Sequence, residues 1–177
     1  TIVTSFFQRL GVYGASVQGS GLDGIISIEA GYYDSLDDTD GTDPTIPNPQ
    51  TRFLIGYQRQ IWEDFTMSLQ YYLEYMHHHG EFIQSLPAGS PGQDRIRELI
   101  TLRLTQLYLY QTLRLSLFAF YSPTDDDYYL IPEIGYNIND AMSITGGFNI
   151  FGGTNTTTFF GQFDKDDNIY TYLRYEF

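Results

Sequence analysis

Tyr172-Leu173-Arg174-Tyr175-Glu176-Phe177 alternates strictly, with Ile169, Thr171, Leu173, Tyr175 and Phe177 on one side and Arg174 and Glu176 on the other. A period of two is that of a β-strand, whose successive side chains leave opposite faces. Here one face is apolar and finishes in aromatics, and the other is charged. Such a strand suits the wall of a membrane β-barrel: apolar side chains in lipid, aromatics at the interface, polar side chains turned to the interior.

The pattern recurs upstream. Met142–Phe151 sets Met142, Ile144, Phe148 and Ile150 against Ser143, Thr145 and Asn149, and Tyr128–Ile138 sets Leu130, Pro132, Ile134 and Tyr136 against Ile131, Glu133 and Asn137. Leu113, Leu115, Leu117, Ala119 and Tyr121 oppose Arg114 and Ser116, although Phe118 and Phe120 interrupt the polar side. Arg95–Leu107, Phe65–Met76, Arg52–Gln60, Ile25–Tyr33 and a stretch from Phe7 to Gln18 complete nine predicted strands. Tight turns are expected at Gly19–Gly24, Trp62–Asp64, Tyr108–Gln111 and Asn139–Ala141. Longer polar loops are expected at Asp34–Gln50, His77–Asp94, Ser122–Asp127 and Gly152–Asn168.

Short and long connections thus alternate, as they do in barrels with short periplasmic turns and longer outer loops. Most of the strands are long enough to cross a bilayer when tilted. The fold class implied is all-β, an antiparallel transmembrane β-barrel forming one domain over residues 1–177, or the C-terminal portion of one. A soluble sandwich or lipocalin-like barrel also alternates, but it would turn its apolar face inward and leave the Arg, Glu and Gln side outside. Nine is an odd count, whereas single-chain bacterial barrels have even counts. The expectation is therefore a larger barrel, completed by strands upstream or in another chain.

Composition points the same way. Of 177 residues 17% are aromatic, and Tyr (16) exceeds Phe (13), which fits an interfacial belt where a ring lies in lipid and a hydroxyl in water. No apolar run approaches the length of a transmembrane helix, leaving strands as the only spanning element. The absence of cysteine excludes disulfides and thiolate metal sites, and a net charge of −13 argues against nucleic acid as a partner. Residues 1–11 lack the features of a signal peptide, so the expectation is a mature form or an excised portion.

The terminal aromatic-x-aromatic pattern resembles the assembly signal read by the barrel-insertion machinery of Gram-negative outer membranes, with Tyr172 where a glycine often stands. Val12–Val17, Gly31–Ser35, Arg52–Tyr57, Gln70–Tyr75, Ser85–Gly89, Leu113–Pro123 and Phe159–Phe163 are similar to the C-terminal part of proteobacterial outer-membrane barrels of uncharacterised, porin-like type. The resemblance covers nearly the whole chain and carries no catalytic motif. It implies an outer-membrane location, with lipid, lipopolysaccharide and the assembly machinery as partners.

Strand parity collects Glu29, Arg52, Gln58, Gln70, Glu74, Arg97, Arg103, Arg114, Glu133, Arg174 and Glu176 on the polar side. These are the candidate pore-lining residues; a mixed-charge wall of this kind can line an aqueous path for polar solutes, or its charges can pair and fill the interior. Strand number decides between the two. His77-His78-His79 reads as a solvated loop tract, since consecutive strand residues point apart, and His77 with Ser85 or Glu81 makes only a generic acid–base set. Asp38, Asp40 and Asp43 around Gly41 supply hard oxygen ligands for weak calcium binding, without the terminal Glu of an EF-hand. No other cofactor and no enzymatic activity is expected. The function implied is porin- or channel-like passage of polar solutes, the alternative a non-conducting structural or anchor barrel in an outer-membrane assembly.

Overall fold

A computed structural model describes residues 7–177. Nine antiparallel strands follow one another as a meander: β1 (Leu10–Gly21), β2 (Gly24–Ser35), β3 (Gln50–Trp62), β4 (Phe65–Met76), β5 (Ile96–Tyr108), β6 (Leu113–Ser122), β7 (Asp127–Asn139), β8 (Met142–Gly153) and β9 (Asn168–Tyr175). They form one sheet in chain order. A seven-residue helix, α1 (His79–Ser85), stands in the β4–β5 connection. The sheet is not closed: among the described residues β1 and β9 are its two edges.

The predicted strands correspond one to one with these nine, with shifts of a few residues at their ends. The first strand starts at Leu10 instead of Phe7 and runs on to Gly21, so the expected six-residue turn contracts to Leu22-Asp23. Both turn residues have positive φ (54° and 57°), the backbone of a type I′ hairpin, whose twist matches that of the flanking strands. That geometry lets the ladder run to Gly21 opposite Gly24. The β5–β6 turn falls one residue later than expected, at Leu109–Thr112, with Leu109, Tyr110 and Gln111 all in the left-handed region. The loop expected after β4 holds α1, whose Phe82 is buried.

Register fixes what each face carries. Across β4–β5–β6–β7 the partners Leu69–Leu102–Ala119–Leu130 lie in one row on one face, and Gln70–Thr101–Phe120–Tyr129 lie on the other. Followed through every ladder, one face holds the apolar alternates from Tyr13 and Val17 in β1 to Leu173 and Tyr175 in β9. These side chains are exposed: Leu69 45%, Ile144 43%, Ile134 52%, Leu173 61%. The opposite face is concave and holds an open cavity of about 810 Å³ lined by residues from β3 through β9.

This arrangement leaves almost no apolar core. Among the described residues the buried hydrophobic ones are Ile46, Met76, Phe82 and Phe160, all in or beside the long connections. The β2–β3 loop packs against the β4–β5 connection through Asn48, whose amide donates to the His77 and His78 carbonyls at 2.9 and 3.2 Å, and through the His77 N–H, which donates to the Pro49 carbonyl at 2.9 Å. The β8–β9 connection (154–167, with a 3₁₀ turn at Gly161–Phe163) folds back over the sheet and seats Phe160 against Phe120 and Tyr129.

Candidate functional site

The concave face is the site the sequence pattern implies, and its ladders place Glu29, Arg52, Gln58, Gln70, Glu74, Arg97, Arg103, Arg114, Glu133 and Arg174 on it together. Glu176 lies beyond β9 in the same alternation, and its carboxylate pairs with Arg174 at 2.8 Å. Near the long-loop end, the Arg52 Nε is 3.1 Å from a Glu74 oxygen, its Nη2 donates to the Gln50 amide oxygen at 2.7 Å, and the guanidinium sits 4.0 Å above the Tyr33 ring. Tyr72 donates to Glu74 at 2.7 Å. Arg97 pairs with Asp125 at 3.2 Å and lies over the Phe159 ring.

Toward the short turns the pattern changes. Arg103 and Arg114 both line the large cavity with Glu133, Ser68, Thr101, Thr105, Ser116 and the amides of Gln58, Gln70 and Asn149. Glu133 accepts from Tyr170 at 2.8 Å and, at a long 3.4 Å, from Ser116. The Tyr170 reach depends on a glycine: Glu133, Gly147 and Tyr170 lie in one row, and a Cβ at Gly147 would stand 2.6 Å from the Tyr170 hydroxyl. Gly135 lies beside Arg114, whose Nε would be in ordinary contact, 3.5 Å, with a Cβ there.

Phe118 and Phe120, which broke the polar alternation of β6, belong to an aromatic cluster on this face. Phe120 and Phe151 stack on the two sides of Tyr129 at interplanar angles of 8° and 7°, and Phe160 closes over the group from the β8–β9 connection. The connection is held by Asp127, which is wholly buried and accepts from the Phe160 and Gly161 N–H groups at 2.7 and 3.2 Å. No local pattern signals this contact, because it joins residues more than thirty positions apart through main-chain donors.

The acidic loop is arranged around its own backbone. The Asp38 carboxylate accepts from Thr42 N–H at 3.1 Å and Asp43 N–H at 2.9 Å, and Asp43 accepts from the Thr45 N–H and hydroxyl at 2.9 and 2.7 Å. The Thr45 donors hold the Asp43 carboxyl below its ordinary pKa. Asp40 joins neither of these two turns, receiving only a long contact from Thr39. Among the described residues no three His, Cys, Asp or Glu side chains stand where they could hold one metal ion. The histidines take different partners: His77 shares a hydrogen bond with the Thr51 hydroxyl, and His79, the first residue of α1, with the Gln93 carbonyl, while the Ser85 hydroxyl donates to the Phe82 carbonyl. Among the described residues no helix is long and apolar enough to cross a membrane. Comparison of the chain with protein-family models and with curated proteins finds no match.

Proposed function

We propose that this chain forms wall of an outer-membrane β-barrel and acts as a porin- or channel-like conduit for polar solutes. The observation that carries the reading is the sorting of the two faces. Nine strands expose large apolar side chains along one face, while most strand charges line the concavity, Arg59 and Glu98 being the exceptions on the apolar face. A soluble protein would reverse that order.

Aromatic side chains on the apolar face support the same reading. Tyr13, Tyr32, Tyr75, Tyr121 and Tyr128 stand toward the long-loop end, and Tyr57, Trp62, Phe65, Tyr108, Tyr136 and Tyr175 toward the short turns. Phe65 and Tyr75 bracket β4. Ten residues at ~3.4 Å each, tilted by ~40°, span ~26 Å, close to the height of the apolar band of such barrels. Lipid then covers the apolar face, lipopolysaccharide meets the acidic outer loops, and further strands complete the wall.

A second reading, a non-conducting anchor barrel, draws on the Phe120–Tyr129–Phe151–Phe160 cluster, which fills part of the concave face. Reconstitution into planar lipid bilayers separates the two. Stepwise conductance in 1 M KCl is the outcome expected of the conduit; silent membranes containing heat-modifiable, folded protein would favour the anchor.

A further inference from the structure

We infer that the conduit proposed above is selective for anions, and that Arg103 and Arg114 form its binding site for small solutes bearing a carboxylate or phosphate. The inference rests on that reading and on how charge is distributed over the concave face.

The chain is strongly acidic, at −13, yet its cations on this face are not uniformly neutralised. Arg52, Arg97 and Arg174 each have a carboxylate within 3.2 Å. Arg103 and Arg114 have none within ion-pair distance among the described residues, although both line the large cavity. The one carboxylate in that lining, Glu133, is hydrogen-bonded by Tyr170 and Ser116. Two guanidinium groups therefore face the cavity against one carboxylate, leaving an excess positive charge inside an acidic protein.

Guanidinium presents a planar fork of donors that matches the two oxygens of a carboxylate or phosphate, and it stays charged at any physiological pH. The remaining polar lining supplies hydroxyl and amide donors for the other oxygens, from Ser68, Thr101, Thr105 and Asn149. Spacing suits passage as well as binding. Arg103 pairs with Phe118 and Arg114 with Leu107, four register positions apart, or ~13 Å along the strands. An anion leaving one guanidinium thus meets the other before it loses the favourable field, as conduction through successive weak sites requires.

The full chain, reconstituted in planar bilayers under a KCl gradient and titrated in detergent with inorganic phosphate, tests this. The expected result is a reversal potential on the anion side and saturable phosphate binding. Arg103→Gln and Arg114→Gln should each lower the chloride-to-potassium permeability ratio about tenfold, because one unit charge acting through water over ~6 Å changes each ion about threefold and in opposite directions. The Arg103→Lys/Arg114→Lys protein, which keeps the charge, should retain the preference, and Glu133→Gln should strengthen it. Conductance without anion preference, or a preference unchanged in the double Gln variant, overturns the anion site and leaves the conduit standing. Absent conductance removes the conduit, and phosphate then decides the site alone: binding lost in the double Gln variant supports it, and no binding or unchanged binding overturns it.

Discussion

A single substitution reads the facing of the whole sheet. Leu69 and Ser68 are neighbours in β4, yet one belongs to the apolar row with Tyr57 and Leu102 and the other to the polar row with Gln58 and Arg103. In a bilayer, Leu69→Arg should destabilise the folded protein by roughly 2–4 kcal/mol, the cost of a cation near the midplane of the lipid face, and Ser68→Arg by much less. Urea titrations of folding into lipid vesicles measure both. A larger loss at Ser68 than at Leu69 would invert the facing and sink the membrane reading. A second residue-scale expectation concerns the β2–β3 loop, where Asp37 accepts the Arg9 N–H at 2.7 Å and the Arg9 guanidinium at 2.7 Å. These two donors hold the Asp37 carboxyl below its ordinary pKa, the main-chain bond contributing most. A depressed carboxylate stabilises the native contact above its unfolded pKa of ~4 and loses that contribution as pH falls through the folded value. Amide exchange at Arg9 and Leu36, which are also joined by a main-chain bond, should therefore quicken below about pH 4 and not between pH 5 and 8. Asp37→Asn should remove the pH dependence.

Among the elements, the strands were legible in the sequence because lipid-type alternation is local: each residue's side of the sheet follows from its neighbours' chemistry, without knowledge of what lies across the molecule. Turn positions were less so. Leu22 occupies a left-handed position that Gly, Asn or Asp usually takes, so the glycine-rich run 19–24 drew the expected turn too wide. Leu22→Asn should relieve that backbone and stabilise the β1–β2 hairpin by up to about 1 kcal/mol, seen as slower amide exchange in Gly21 and Gly24. Pro132 shows a local rule overridden. It sits inside a central strand, where proline removes a ladder bond, and the β7–β8 ladder skips Ile131 and Pro132 before resuming in the same register at Glu133 opposite Gly147. The inner aromatics Phe118 and Phe120 looked like exceptions because their reason, the return of 154–167 over the sheet, is a long-range event. That return hangs on Asp127. Asp127→Ala removes the acceptor of two buried main-chain donors, each such bond to a charged group contributing roughly 1.5–3 kcal/mol. Limited proteolysis should then cut within 154–167 at protease levels that spare the parent protein, with the strands left intact. Equal resistance would mean that Phe160 packing alone seats the segment.

For the whole molecule, the edges set the remaining constraint. In a meander every strand reverses the one before it, so β1 and β9, both odd, run in the same direction. Direct closure would pair them in parallel, against the antiparallel pattern of all eight ladders between consecutive strands. A second copy related by an axis along the membrane normal keeps each strand's direction and meets the same mismatch. Open edges are no alternative in lipid, where every unsatisfied N–H and C=O costs several kcal/mol. An antiparallel wall that includes this sheet therefore takes an odd number of further strands between β9 and β1, and with three or more of them the interior widens from a filled core toward an open channel. The matching rows of the inner face supply the test. Ser16 in β1 and Tyr172 in β9 both face the concavity, so Ser16→Cys and Tyr172→Cys would be brought together by a nine-strand closure in which their rows align. Cysteines scanned along both edges, in the folded protein under mild oxidant, should give no β1–β9 disulfide at any register, because bridging requires Cα atoms within about 7 Å. A disulfide forming at one register, in good yield and with the barrel still folded, would mean that the wall closes on these nine strands, with Arg103, Arg114 and Glu133 packed in a narrow interior and the conduit replaced by the anchor.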